Sequence, residues 1–313
     1  MDVILHIGAH RSASTSLQTY WRRNTVMLAS QDTGFWGPKR LRKRLFNGIT
    51  ARPLEGRNAV AFARAQGRIA LELQRSSALD VTQIIVSEEN ILGLMRHNFS
   101  AQALYPSAAT RVARYISAFR GSVKMIYLTT RCLSSYWSSA LCYSIPRGVM
   151  VPDQARIDAL AEQPRNWRDV ISDIAEAAPD VPVVVSTFEQ FSARPFMLTR
   201  YLLGTQAAQA DKPVWRNQRP TTQQLLRLPL GLDERTRMKT HIHDDRWEPF
   251  SSAQRAALQE RYADDLFWLQ SGSDGRAIYL EDPKPQETGY PAQMGFVNKG
   301  QSYDTRQPLA RPG

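Results

Sequence analysis

Val3-Ile-Leu-His-Ile-Gly-Ala-His-Arg-Ser-Ala-Ser-Thr-Ser-Leu-Gln18 is the stretch whose reading decides the fold. The apolar run Val3 to Ile7 predicts a buried strand. Gly8 breaks it, and a small-residue loop follows from Ala9 to Ser14, carrying two basic-type side chains, His10 and Arg11. Thr15 onward opens a helix, with Ser14 or Thr15 placed to cap it. A strand, a tight loop, a cation, several hydroxyls and a helix N-terminus together make an anion-binding device. The exposed N–H groups converge on one spot, and the helix dipole favours negative charge there. A Walker loop would need two spaced glycines followed by Lys and Ser/Thr. Here only Gly8 is present, and Arg11 precedes the hydroxyls of Ser14 and Thr15.

A second segment repeats the plan. Val123 to Thr130 is β-branched and aromatic, a strand pattern. Arg131 ends it, and Leu133 to Leu141 continues as a helix. Arg131, Ser135, Ser138 and Ser139 share one helical face if that helix reaches back to Arg131. One guanidinium with several hydroxyls suits a phosphate. The plainer alternative is a strand-to-helix junction with a surface arginine. At a third strand, Val81 to Ser87, the chain runs into Glu88 and Glu89. Ligands of open α/β sheets bind at the carboxyl ends of the strands, and a carboxylate there is placed to accept a proton. Adjacent strand residues point to opposite faces, so one of the two is expected to serve. Glu89 is favoured because it precedes the Asn90-Ile-Leu-Gly93 stretch, with Glu88 the alternative; both also suit a helix cap.

These segments resemble the PAPS-dependent sulfotransferases, whose donor is 3′-phosphoadenosine 5′-phosphosulfate (PAPS) and whose product is the bisphosphate PAP. That family carries Lys-Thr/Ser-Gly-Thr-Thr after its first strand, often followed by Ser-Leu-Gln. Laid on this chain, its Lys falls on Arg11, its Gly on Ala13 and its hydroxyl pair on Ser14 and Thr15. Arginine keeps the charge but is longer and forked, and Ala13 adds a methyl where a positive φ is disfavoured. The resemblance implies a three-layer α/β/α fold with a central parallel sheet, P-loop NTPase-like. It further implies that residues 11–16 (Arg11, Ser12, Ala13, Ser14, Thr15, Ser16) hold the 5′-phosphosulfate, with Arg11 and His10 at the reacting end. Arg131 and Ser139, with Ser135, would hold the 3′-phosphate, and Glu89 or Glu88 would be the base. No metal is implied. The enzyme expected is a sulfotransferase acting on a hydroxyl or amine of a glycan, lipid or small molecule. The other readings are a P-loop nucleotide kinase or hydrolase, and a non-catalytic nucleotide-binding relative.

The chain has 313 residues with 42% apolar content, enough for one large α/β domain. No apolar run approaches the length of a membrane span, and the first strand begins at residue 3, so a cytoplasmic protein is expected. Cys132 and Cys142 read as reduced thiols without a metal role. The formal net charge is +11. The densest basic run, Lys39, Arg40, Arg42, Lys43 and Arg44, reads first as a solvated face and second as a contact for an anionic surface or acceptor. No nucleic-acid motif accompanies it.

Further helices are expected over residues 59–76, 105–119, 167–177, 196–203 and 250–269, the last capped by Ser251 or Ser252. Val181 to Thr187 reads as a fourth buried strand. Such alternation predicts a parallel sheet covered on both faces. Ser144 to Asp153, rich in turn residues, reads as a loop over the acceptor site. The last helix and Asn217-Gln-Arg-Pro-Thr221 also look like family segments. The domain is therefore expected over residues 1–270, with 271–313 an extended or mobile tail. Lys299-Gly-Gln301 stands where some relatives place a covering loop. His241, His243, Asp244 and Asp245 read as a polar surface loop, because zinc needs a fuller ligand set.

Overall fold

The computed structural model describes residues 1–204, 214–240 and 242–281. Its centre is a parallel sheet of six strands: β1 (Asp2–Gly8), β2 (Thr33–Trp36), β3 (Gln83–Ser87), β4 (Val123–Thr130), β5 (Val183–Thr187) and β6 (Ile278–Tyr279). Their order across the sheet is β2-β3-β1-β4-β5-β6. Ile84, Ile85 and Val86 are successive residues of β3, and all are fully buried. Side chains alternate across a strand, so helices must cover both faces, as expected for a parallel sheet.

The principal helices are α1 (Ser14–Arg23), α2 (Gly56–Ser77), α3 (Ala108–Ala118), α4 (Leu133–Ser144), α5 (Trp167–Ala177) and α6 (Ser252–Gln270). Leu17, Tyr20 and Trp21 of α1 pack on Ile85, Tyr127 and Val184 of the sheet, with Phe191, Leu198 and Leu202 completing that cluster. Ser251 caps α6 in a reciprocal capping box with Gln254.

From β1 the chain moves outward to β2, returns through β3 to β1's flank, and then crosses to β4 on the other side. The order therefore reverses at β1. The carboxyl ends of β1, β3 and β4, the strands that precede the Arg11 loop, Glu89 and Arg131, open at this switch point.

Two expectations need correction, and one strand was not expected. Residues 271–281 are part of the domain: Ile278 and Tyr279 pair with Val184 and Val185, so the sheet extends past residue 270. The strand not expected is β2, four residues long, which pairs in parallel with β3. The β3 and β5 strands begin at Gln83 and Val183, two residues later than the apolar runs suggest. Residues 282–313, with Lys299-Gly-Gln301, lie outside the described residues. Among the described residues no helix is long and apolar enough to cross a membrane.

Candidate functional site

The loop after β1 takes a backbone shape that side chains seldom adopt. Gly8, Arg11 and Ala13 have φ of 71°, 62° and 64°. Interleaved positive and negative φ turn successive N–H groups toward one concavity, the anion-binding nest. Among the described residues, the amides of Arg11, Ser12, Ala13, Ser14 and Thr15 donate to no protein acceptor. They lie in the loop and at the N-terminus of α1, where the dipole adds to their attraction for an anion.

Neither Ser14 nor Thr15 caps the helix. The cap position is Ala13, with no side-chain bond. Ser12 Oγ and Ser14 Oγ donate instead to Ala9 O, at 2.7 and 3.0 Å, and Ser12 Oγ accepts from Ala9 N at 3.1 Å. These buried hydroxyls hold the loop's shape. Thr15 Oγ1 accepts from Asn217 Nδ2 at 3.2 Å, and Ser16 Oγ from Arg216 N at 3.1 Å, so the Asn217 segment docks on the start of α1.

Arg11 does not fold back over its own loop. Its Nε donates to Ser139 Oγ at 2.9 Å, and its guanidinium lies 4.6 Å from the centre of the Tyr143 ring. Arg131 donates to Arg11 O at 2.6 Å and lies over Phe188 at 4.1 Å. The two proposed anion sites are thus one continuous basic surface. Burial, then the charge of Arg131, pulls the Arg11 guanidinium down to about 10, so it stays protonated at neutral pH. Among the described residues Arg11 makes no ion pair with a carboxylate.

The shared helical face of Arg131, Ser135, Ser138 and Ser139 does not form, because α4 starts at Leu133 and leaves Arg131 outside it. Ser138 turns to Glu248, donating at 3.0 Å. Ser135 is half-buried and its side chain makes no hydrogen bond among the described residues. Glu248 also takes Arg219 at 2.6 Å, which seats the Asn217–Thr221 segment beside α4. Trp167 Nε1 donates to Arg131 O at 2.6 Å and so fixes the end of β4.

Glu88 and Glu89 do not alternate across the sheet, since both lie beyond β3, with Glu89 opening a 3-10 turn. Both reach one guanidinium. A π-helical turn, Leu41–Leu45, carries Arg42 to them; it donates to both oxygens of Glu88 at 2.7 Å and to Glu89 Oε1 at 2.9 Å. Glu88 is almost wholly buried, and its Oε1 also accepts from Asn90 N at 2.9 Å. Burial pushes the Glu88 carboxyl up, outweighing the hydrogen bond from Arg42. Glu89 behaves oppositely. Burial works against its charge, but hydrogen bonds from Gln18 and its own backbone, with the Arg42 charge, hold it below the usual range.

His10 lies beside the loop, buried and stacked on Tyr105. Its Nδ1 is 2.9 Å from Tyr105 Oη, which also accepts from His10 N, and its Nε2 is 3.1 Å from Asn90 Oδ1. Asn90 Oδ1 can only accept, so the proton sits on Nε2 and the tyrosine hydroxyl donates to Nδ1. Burial lowers the His10 pKa, so the ring is neutral.

Within the basic run, Lys39, Lys43 and Arg44 are exposed, Arg40 pairs with Glu72 at 2.6 Å, and Arg42 is drawn to the two glutamates. His243 and Asp244 form an exposed pair, and His241 lies outside the described residues. Cys132 and Cys142 are free and buried. Sequence reasoning missed Gln18, Tyr105, Tyr143 and Phe188 as neighbours of the site. The only signal was Gln18's place in the Ser-Leu-Gln motif. No family model, curated protein or solved structure matches this chain.

Proposed function

We propose that the protein transfers a sulfuryl group from PAPS to a hydroxyl or amine. One observation carries the reading: five unpaired amides at a switch point open beside two arginines that share a hydrogen bond. The amides fit a sulfate or 5′-phosphate, and the guanidinia of Arg11 and Arg131 with Ser139 fit a second phosphate, as a donor with charge at both ends requires. The fold would then belong with the P-loop NTPase-like class.

In this reading the acceptor oxygen or nitrogen attacks sulfur as the bond from sulfur to the bridging oxygen breaks. The sulfuryl group goes to the acceptor, the electron pair stays on PAP, and Glu89 takes the acceptor's proton. Charge growing on the leaving oxygen meets the loop amides. Arg11, as it lies, serves the Ser139 end of the donor, with Arg131. Glu88, paired through both oxygens, supports Arg42. His10, neutral and hydrogen-bonded at both nitrogens, shapes the loop.

Calorimetry with PAP, set against ATP plus magnesium, tests the reading. PAP should bind and ATP-magnesium should bind far more weakly; the reverse would favour a nucleotide kinase or hydrolase. Glu89→Gln should abolish labelled-sulfate transfer and leave PAP affinity unchanged. PAP binding with no transfer to any glycan, lipid or small-molecule acceptor would make the chain a non-catalytic relative, a reading that the inward-turned Arg11 favours.

A further inference from the structure

Glu89 is gripped from two sides by unlike partners. On the outer side Oε1 accepts from Arg42, whose side chain is 48% exposed and also grips both oxygens of Glu88. On the inner side Oε2 accepts from Gln18 Nε2 at 2.9 Å, and Gln18 is buried on α1. The same nitrogen donates to Ser87 Oγ at 3.0 Å, so both amide hydrogens are used. Ser87 Oγ lies 2.8 Å from His6 Nδ1. His6 is 1% exposed and packed against Trp21 and Tyr127. His6 Nε2 is buried with no partner among the described residues.

One orientation of the Gln18 amide fits its surroundings: Nε2 donates to both Ser87 Oγ and Glu89 Oε2, and the flipped amide would turn its carbonyl toward a carboxylate, acceptor against acceptor. Ser87 Oγ thus accepts from Gln18 and shares a hydrogen bond with His6 Nδ1. His6 and Ser87 are directly paired residues of β1 and β3, so the relay is anchored in the two central strands. The helix bearing Gln18 also presents the amide cradle at its N-terminus.

We propose that Gln18 is a positioning residue for the Glu89 carboxylate, locked in its orientation by Ser87 and His6 and holding the base at a fixed distance from the anion cradle on the same helix. This rests on Glu89 serving as the base. A glutamate on a short turn has several rotatable bonds, and a general base acts only from within hydrogen-bond reach of the proton it takes. Arg42 comes from the solvent side and is shared with both oxygens of Glu88, whereas Gln18 reaches Glu89 from the buried face of α1, the helix that bears the cradle.

The test uses the full-length protein labelled with carbon-13 at glutamate Cδ, the Glu89 signal being assigned by its loss in Glu89→Gln. The charged and titratable groups facing Glu89 are Arg42, Glu88, His6, His10 and Tyr105, and all are retained. In Gln18→Met the Glu89 titration midpoint should move upward, because the bond favouring the anion is gone. In the same variant kcat should fall roughly ten- to a hundredfold with KM for PAPS unchanged, and the acid limb of the kcat profile should shift upward with the midpoint. In the wild type the Gln18 side-chain amide signals should titrate with the Glu89 midpoint, a readout that stands even if Gln18→Met does not fold. An unmoved midpoint, or Gln18 signals that ignore Glu89, would overturn the proposal. Failure of PAP to bind the wild type would instead sink the sulfuryl-transfer reading. The titrations tell these outcomes apart because they read the Gln18–Glu89 bond without the donor.

Discussion

Arg11 Nε donates to Ser139 Oγ at 2.9 Å across 128 residues of chain, and this bond fuses the loop after β1 with the helix after β4. Both arginines of the site are committed to that junction, since Arg131 donates to the backbone oxygen of Arg11.

The junction predicts an ordered loss of affinity for PAP. A hydrogen bond to a charged group is worth about 1.5–3 kcal/mol, so Arg131→Ala should weaken PAP about tenfold or more. Adenosine 5′-phosphosulfate, which lacks the 3′-phosphate, should lose less. Ser139→Ala should follow the same order with a smaller effect, because Arg11 keeps its stack on Tyr143. Equal losses for both nucleotides, read by calorimetry, would remove the 3′-phosphate from this site.

Gly8 and Ala13 should respond in opposite directions. A Cβ on Gly8 would stand 2.7 Å from Ser14 Oγ and 2.9 Å from Glu89 Cβ, at a φ of +71°. Gly8→Ala should therefore destabilise by about 2 kcal/mol or more, from strain and overpacking together. Ala13 already bears the left-handed strain, at a φ of 64°. Ala13→Gly should gain about 0.5–1 kcal/mol, the relief of strain less the added freedom of the unfolded chain. Urea unfolding of both variants measures the contrast, and a loss in Ala13→Gly would contradict the loop geometry.

Arg42 is the partner of a buried carboxylate, so its removal should cost more than its own exposure suggests. With Glu88 left charged and unpaired, Arg42→Ala should destabilise by about 2 kcal/mol, less than a fully buried pair because Arg42 is half in water. Adding Glu88→Gln should restore part of that loss. Full additivity in this double-mutant cycle would mean that the two side chains do not depend on each other.

Two buried groups should pull stability in opposite directions as pH changes. Burial brings His6 down to about 4 against an ordinary 6.5. As pH falls from 6.5 toward 4 the unfolded chain takes a proton that the folded ring refuses, a loss reaching roughly 3 kcal/mol. Asp265 accepts from Trp167 N and Arg168 N at the start of α5, yet burial raises it to about 7. Its folded form holds the proton more tightly, so its contribution is full below pH 3.8 and is lost as pH rises through 7. Between pH 4 and 6.5 the two slopes oppose. His6→Phe should leave a stability that falls with rising pH across that window, and Asp265→Asn one that rises. Unfolding free energies at pH 4.5, 5.5 and 6.5 check both signs.

Much of the fold was legible in local pattern. The β4 strand and α5 fall on the runs that suggest them, because β-branched and aromatic residues suit the pleated surface of a strand and an amphipathic helix needs its period. The cap of α1 was not legible. Ser14 has the right chemistry, but the loop needs its hydroxyl on Ala9 O to hold the left-handed turn. The alternation expected of Glu88 and Glu89 failed for a related reason: the strand stops at Ser87, and a 3-10 turn lets both carboxylates reach one arginine.

By itself the sequence determined the strand–loop–helix units, the arginine at each of two strand ends and the carboxylates at a third, since these follow from short-range sterics, turn chemistry and period. Tertiary structure alone decided the partners: Arg11 with Ser139, Arg42 with Glu88 and Glu89, and Gln18 with Ser87 and Glu89. Those bonds span 46 to 128 residues and exist because the order of strands in the sheet brings four distant chain segments to one edge. No local propensity encodes that meeting; it is set by the burial of both sheet faces at once.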